Sequence, residues 1–195
     1  MKNNYLYRIL FLLLAVVLLS ACGGDYTPKP RGYFRFDLPE KQYQKFDSVS
    51  FPYKFEYPVY ARISKPDNES TAEPYWINVT IPAYNATIYL SYKAINNNLA
   101  SLLETTYQMV SKHTIKADAI ADHIIENEPN NVYGVMYELG GNTATALQFF
   151  VTDSVKNFLR GSLYFYAEPN KDSLAPLISF FKEDIEHMIE TFECK

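Results

Sequence analysis

The sequence predicts an α+β fold, an antiparallel β-sheet of about six or seven strands packed between helices. Three observations lead there. Most of the chain alternates apolar and polar residues with a period of two, while two segments carry apolar residues at helical spacing. The order of elements, three strands, helix, four strands, helix, lacks the strand and helix alternation that parallel crossovers require. The 17 Tyr and 13 Phe against one Trp favour the same fold, because rings raise strand propensity and a Tyr buries its ring while its hydroxyl reaches water or a partner. Rings at exposed positions would equally suit an interface.

The chain opens on an export signal. Lys2 and Arg8 precede an apolar run, Ile9 to Leu19, shorter than the roughly 20 residues of a spanning helix, and Leu19-Ser20-Ala21-Cys22 closes it with small residues and a cysteine. In bacterial lipoproteins such a cysteine is acylated and becomes the new amino terminus. Residues 1–21 are therefore read as a lipoprotein signal peptide and Cys22 as the lipidation site that holds the mature chain on a membrane. Gly23 to Pro30, rich in Gly and Pro and without a period, completes a lipidated tether over 22–30, and 31–195 is read as one globular domain. At about 3.5 Å per extended residue the tether reaches at most roughly 30 Å, so the domain stays near the bilayer.

Cleavage removes Lys2 and Arg8 and no acid, so the 18 Lys and Arg of the chain become 16 against 22 Asp and Glu, a formal −6 that argues against nucleic acid as a partner. Cys22 and Cys194 are the two cysteines, and with Cys22 taken by lipid no disulfide closes within the chain. Cys194, one residue from the end, is expected as a frayed, exposed thiol, with an intermolecular disulfide as the alternative.

The strands follow in order. Tyr53, Phe55 and Tyr57 alternate with Lys54, Glu56 and Pro58; Ile77, Val79 and Ile81 alternate with Asn78 and Thr80; Thr87 to Tyr92 repeats the pattern after a break at Pro82 to Asn85, which makes a hairpin. Ser64 to Pro74 between the first two is polar and is expected to be a mobile loop. Asn98 caps a helix whose Leu99, Leu102, Leu103, Thr106, Val110 and His113 lay an apolar stripe on the sheet, ending near Lys112 to Thr114. Ala119 to Glu126 is a strand. Tyr133 to Leu139 and Thr145 to Val151 form a hairpin around Gly140-Gly141-Asn142, and Thr152-Asp153-Ser154 turns into a last strand, Phe158 to Tyr166. The closing helix carries Leu174, Leu177, Ile178, Phe181, Ile185, Met188, Ile189 and Phe192 as one stripe, with Asp172 or Ser173 as cap and Pro176 in its first turn; Lys182, Glu183, Glu186, Glu190 and Glu193 form its wet face.

Catalytic patterns are missing. His113, His123 and His187 share no metal-ligand spacing, so neither a metal nor another cofactor is expected, and His187 is read as a surface ion pair with Glu183 or Glu190 on its own helix. Arg160-Gly161-Ser162-Leu163-Tyr164 is the nearest approach to a nucleophile elbow and lies inside a strand; Gly140-Gly141-Asn142 joins two strands and cradles no phosphate. The reading is a non-enzyme. Lys29 to Asp37 sets three cations among three rings directly after the tether, and Lys29, Arg31, Tyr33, Phe34 and Arg35 are the candidate partner-binding residues. The same stretch, Tyr33 to Phe36, could instead be an edge strand. Tyr75-Trp76, beside the polar loop, motivates a rival reading as a stacking platform for a small ligand or an envelope polymer.

Pro28-Lys29-Pro30-Arg31-Gly32-Tyr33-Phe34-Arg35-Phe36-Asp37-Leu38-Pro39-Glu40-Lys41, Phe55-Glu56-Tyr57-Pro58, Ile88 to Lys93, Thr152-Asp153-Ser154 and Phe158 to Phe165 together resemble the GldD gliding-motility lipoproteins of the Bacteroidetes. The resemblance implies a non-enzymatic, periplasm-facing envelope component needed for gliding and linked to the type IX secretion apparatus, with other gliding and secretion proteins as partners and no catalytic residues. Phe55 to Pro58, the middle helix, Gly161 to Tyr164 and the closing helix look like the PsbP/Mog1 arrangement, a likeness of fold that implies nothing about function.

Overall fold

A computed structural model describes residues 7, 8, 11, 35–66, 68 and 70–195, and the chain divides into two units, Met1–Tyr33 and Phe34–Lys195. In the first unit, residues 7, 8 and 11 are helical. The second unit contains β1 (Tyr43–Phe46), β2 (Tyr53–Pro58), β3 (Arg62–Ser64), β4 (Ile77–Ile81), β5 (Ala86–Ala94), α1 (Leu99–Ser111), β6 (Ala117–Asn127), β7 (Val132–Gly141), β8 (Thr145–Thr152), β9 (Asn157–Phe165), α2 (Lys171–Glu190) and β10 (Glu193–Cys194). The α+β class is as predicted, and all strand pairs are antiparallel.

The strands form a seven-stranded sheet in the order β3-β4-β5-β9-β8-β7-β6 and a three-stranded sheet, β1-β2-β10, where the sequence predicts a single sheet. Period-two alternation in β4, β5, β8 and β9 points Ile77, Val79, Ile81, Ile88, Leu90, Leu147, Phe149, Val151, Leu159 and Leu163 at one face, which α2 covers with Leu177, Phe181, Ile185, Met188 and Ile189. Each such side chain contributes about 1.5–3 kcal/mol on full burial. The small sheet extends this core: Tyr53 packs its ring 5.8 Å from those of Phe192 and Tyr92, and Phe46 meets Phe51 edge-on at 5.0 Å.

The differences from expectation are local. Arg35 and Phe36 lie in no strand, so the edge-strand reading fails for them, and the first strand is Tyr43–Phe46 instead. Within Ser64 to Pro74, Ser64 belongs to the short strand β3, which pairs with β4. Helix α1 buries only Thr106 and Val110, and its cap residue Asn98 turns its side chain back to accept from the Asn96 N–H at 2.7 Å. Helix α2 starts earlier than predicted: Asn170 is the cap, accepting from the Ser173 N–H at 3.1 Å, which moves Pro176 past the first turn. Glu193 leaves the helix for β10, where it pairs with Lys54.

Gly161 shows why this strand tolerates no side chain. Its face is covered by the Phe149 ring of the neighbouring strand, and a Cβ there would stand 2.1 Å from Phe149 Cζ. We expect Gly161→Ala to cost about 1–3 kcal/mol in urea unfolding. At Gly140 the nearest atom to an added Cβ is 3.5 Å away, so Gly140→Ala should shift stability by no more than about 0.5 kcal/mol.

The turn from β8 to β9 is held by Asp153, whose Oδ1 accepts from the N–H groups of Val155, Lys156 and Asn157 at 2.9, 2.8 and 2.8 Å while Oδ2 accepts from the Asn157 amide at 2.6 Å. Burial pushes its pKa up, but these four donors outweigh that and hold it below the ordinary carboxylate value. A depressed folded-state pKa adds stability above the unfolded value and loses it as pH falls through the folded one. Asp153→Ala should therefore destabilise by about 1–2 kcal/mol at neutral pH, and the gap between variant and parent should narrow below about pH 4 in paired urea titrations.

Candidate functional site

The lipidation residue Cys22 and, of the candidate partner-binding residues, Lys29, Arg31, Tyr33 and Phe34 lie outside the described residues. Arg35 is described: its Nε stands 3.5 Å from Asp37 Oδ1, with side chains 93% and 92% exposed, a geometry that contributes little to stability and leaves the guanidinium available. Directly after it the chain is pinned to the domain. Phe36 packs half-buried against the core, and the Tyr84 hydroxyl donates to the Asp37 carbonyl at 2.6 Å.

The pinning ends in a buried polar knot. Asp184 of α2 has no exposed surface, and its Oδ1 accepts from Lys41 Nζ at 2.8 Å and from the Tyr43 hydroxyl at 3.1 Å, while Oδ2 accepts from the Tyr60 hydroxyl. Lys41 also donates to the Phe180 carbonyl at 2.5 Å and stands 3.4 Å from the centroid of the Phe180 ring. Burial first, and then the carboxylate beside them, push both phenols well above their ordinary pKa, so they remain donors. One turn on, His187 Nε2 lies 2.9 Å from Glu56 Oε2 and its ring stacks on Tyr43 at 3.7 Å. This corrects the expected pairing of His187 with Glu183 or Glu190: β2 supplies the partner.

Lys41, Tyr43, Tyr60 and Asp184 were not among the residues the sequence marked. A signal for Asp184 was present, since it stands seven residues after Leu177 and three after Phe181, within the buried stripe of the helix. Its partners lie 124 to 143 positions away, beyond any local pattern.

A second polar centre lies on the opposite sheet face, under α1. Arg160 of β9 donates from Nη2 to Gln148 Oε1 at 3.0 Å and to Ser162 Oγ at 3.4 Å and touches Met109 Sδ at 2.6 Å. Arg160 Nε and Gln148 Nε2 are buried without acceptors. Burial lowers the Arg160 pKa, and Tyr164 raises it. The arrangement holds a cation between strand and helix.

The other singled-out residues take structural places. The Trp76 indole N–H donates to the Tyr92 carbonyl at 2.9 Å, and Tyr75 meets the rings of Phe51 and Tyr92 edge-on, which uses both for packing. Cys194 is not frayed: it pairs with Tyr53 in β10, and burial pushes its thiol up to about 12. Among the described residues, no group of three or more His, Cys, Asp or Glu side chains is placed to hold a metal ion, and no helix is long and apolar enough to cross a membrane.

Comparison with known proteins adds two findings. A family model described as gliding motility lipoprotein GldD matches residues 23–194. Among solved structures, the chain is similar to the solution structure of cyanobacterial PsbP (CyanoP) from Synechocystis sp. PCC 6803, with a TM-score of 0.49 and 13% identity over 83% of this chain and 98% of that one. No curated protein matches the chain.

The buried knot yields a stability test. Asp184→Ala strands Lys41 and two phenols and should cost about 3–5 kcal/mol in urea unfolding. The double variant Lys41→Met, Asp184→Leu should cost clearly less than the sum of the two single changes, because it removes the stranded charge together with its partner.

Proposed function

The chain belongs to the GldD gliding motility lipoproteins, whose family model spans residues 23–194, and on that premise we propose that it is a non-enzymatic, lipid-anchored support factor for the gliding and type IX secretion apparatus on the periplasmic side of the envelope. Acyl chains on Cys22 anchor it, residues 22–30 form the tether, and the domain from residue 31 holds a protein partner. Two or more acyl chains are enough for a stable anchor.

The observation that carries the reading is the fixed exit of the tether. Phe36, the Tyr84 bond to Asp37 and the Lys41–Asp184 pair hold residues 36–41 against the domain, while the Arg35 side chain stays in solvent at the point where the anchor segment arrives. An immobilised backbone carrying an exposed guanidinium suits a protein contact, because little ordering entropy is left to lose on binding. The rival reading, a stacking platform at Tyr75 and Trp76, keeps a half-exposed Tyr75 and a Trp76 that lines a surface cavity, with its indole N–H bonded to the Tyr92 carbonyl.

Loss of the gene should reduce both spreading over surfaces and secretion of type IX cargo; normal levels of both would refute the proposal. In crosslinked pull-downs of the acylated protein from its own envelope, motility or secretion components should be recovered with the parent and depleted with the double variant Arg31→Ala, Arg35→Ala. Equal recovery with the variant would move the contact away from this segment.

A further inference from the structure

Among the described residues, strand β6 ends the seven-stranded sheet with β7 as its one strand neighbour; at its start the Ala117 N–H donates to the His113 carbonyl at 2.9 Å. Exposed edges are normally guarded by charged side chains, above all Lys, by Pro or by short length; the charges along β6 are the acids Asp118, Asp122 and Glu126, which repel an acidic strand but not a basic one. Here neither Lys nor Pro occurs, and the one bulge, between Ala117 and Ala119, sits at the very start.

The side chains along this edge form a pattern. Ile120, Asp122, Ile124 and Glu126 share one sheet face, opposite Leu139, Tyr137, Val135 and Tyr133 of β7, so aliphatic and acidic positions alternate there, and Ile124 is 75% exposed. On the other face a groove of about 490 Å³ runs between β6 and α2, floored by Ile125, Met136 and Ile189 and rimmed by Glu186 and Glu190 of the helix. No Lys or Arg lines it. An added strand would thus meet aliphatic side chains interleaved with carboxylates on one face, and on the other a groove, lined by His123 and Ile125 of β6, whose rim carries the helix carboxylates.

We propose that the β6 edge, with the groove beside it, binds an extended segment of a partner protein by strand addition, a segment in which Lys or Arg and aliphatic side chains take turns at every second residue, so that they alternate along one face as Ile120, Asp122, Ile124 and Glu126 do. Main-chain hydrogen bonds to β6 supply the affinity, and the alternating carboxylates select the basic sequence. Charge disfavours a second copy as the occupant, since its own β6 would bring Asp122 and Glu126 to the same edge in a chain of formal charge −4. The inference goes beyond the contact proposed at Arg35 and uses a different surface: failure of the peptide test below would leave the motility role standing, and failure of the deletion test would leave this edge standing.

The test uses the full-length protein in detergent micelles and synthetic peptides of about ten residues, a usual strand length. One repeats valine-threonine-lysine-threonine, so that valine and lysine alternate on one face, one repeats valine-threonine-glutamate-threonine, and one has the first composition with its lysines and valines in two blocks. The alternating lysine peptide should bind saturably in fluorescence anisotropy, at least about tenfold tighter than either other peptide, and should slow hydrogen exchange of amides within Ala117–Asn127. The double variant Glu126→Lys, Glu186→Lys should weaken that binding by about tenfold, with exchange in β8 and β9 unchanged as proof of folding. Absence of saturable binding, equal binding of the block peptide, or unslowed β6 exchange would each overturn the proposal. So would slowed β6 exchange on raising the protein concentration without peptide, which would make a second copy the occupant.

Discussion

Asp184 is a carboxylate with no exposed surface on the buried side of a helix, and moving it out of water costs several kcal/mol unless a cation and donors come with it. Lys41, Tyr43 and Tyr60 supply them from three places: the segment that leaves the tether, the first strand, and the turn after the second. None of these places could shift without stranding the charge. Because attraction in a low-dielectric interior falls off with any misfit, the knot fixes the rotation of α2 about its axis and the path of residues 35–43 together. The His187–Glu56 pair and the Thr191 hydroxyl, which accepts from the Glu56 N–H at 3.0 Å, then set the second strand along the same helix.

The consequence for function is one of placement. The first residues of the domain, 36–41, are held on its surface by a buried ion pair in place of a disulfide. Its two surfaces of interest differ in character. The tether side carries an exposed cation, Arg35, whereas the far edge of the large sheet, β6 with α2 beside it, carries carboxylates among aliphatic side chains.

Motifs that carried the family resemblance turn out to be structural devices. Asp153 of Thr152-Asp153-Ser154 collects three backbone donors to close a turn in which Ser154 has φ 64°. Gly161 makes room for the Phe149 ring, and Lys41, the last residue of the longest block, neutralises Asp184. Asp153 and Lys41 thus place their charged groups on partners within the domain itself.

The sequence by itself determined the class of fold, the strands β2 and β4 to β9, both helices and the turn before β9, since those depend on periodicity and turn chemistry within about ten residues. The order of elements along the chain excluded a parallel sheet for the same reason. Only the tertiary structure decided what pairs at a distance: the short strands β1, β3 and β10, too brief to show a period, and the second sheet they build with β2 or the edge they add to β4. It also decided the partners of Asp184 and His187, the packing of Trp76 and the burial of Cys194. In each case the residue's surroundings come from segments far along the chain, and a buried charge, a stacked ring or a shielded thiol is defined by those surroundings and not by its neighbours in sequence.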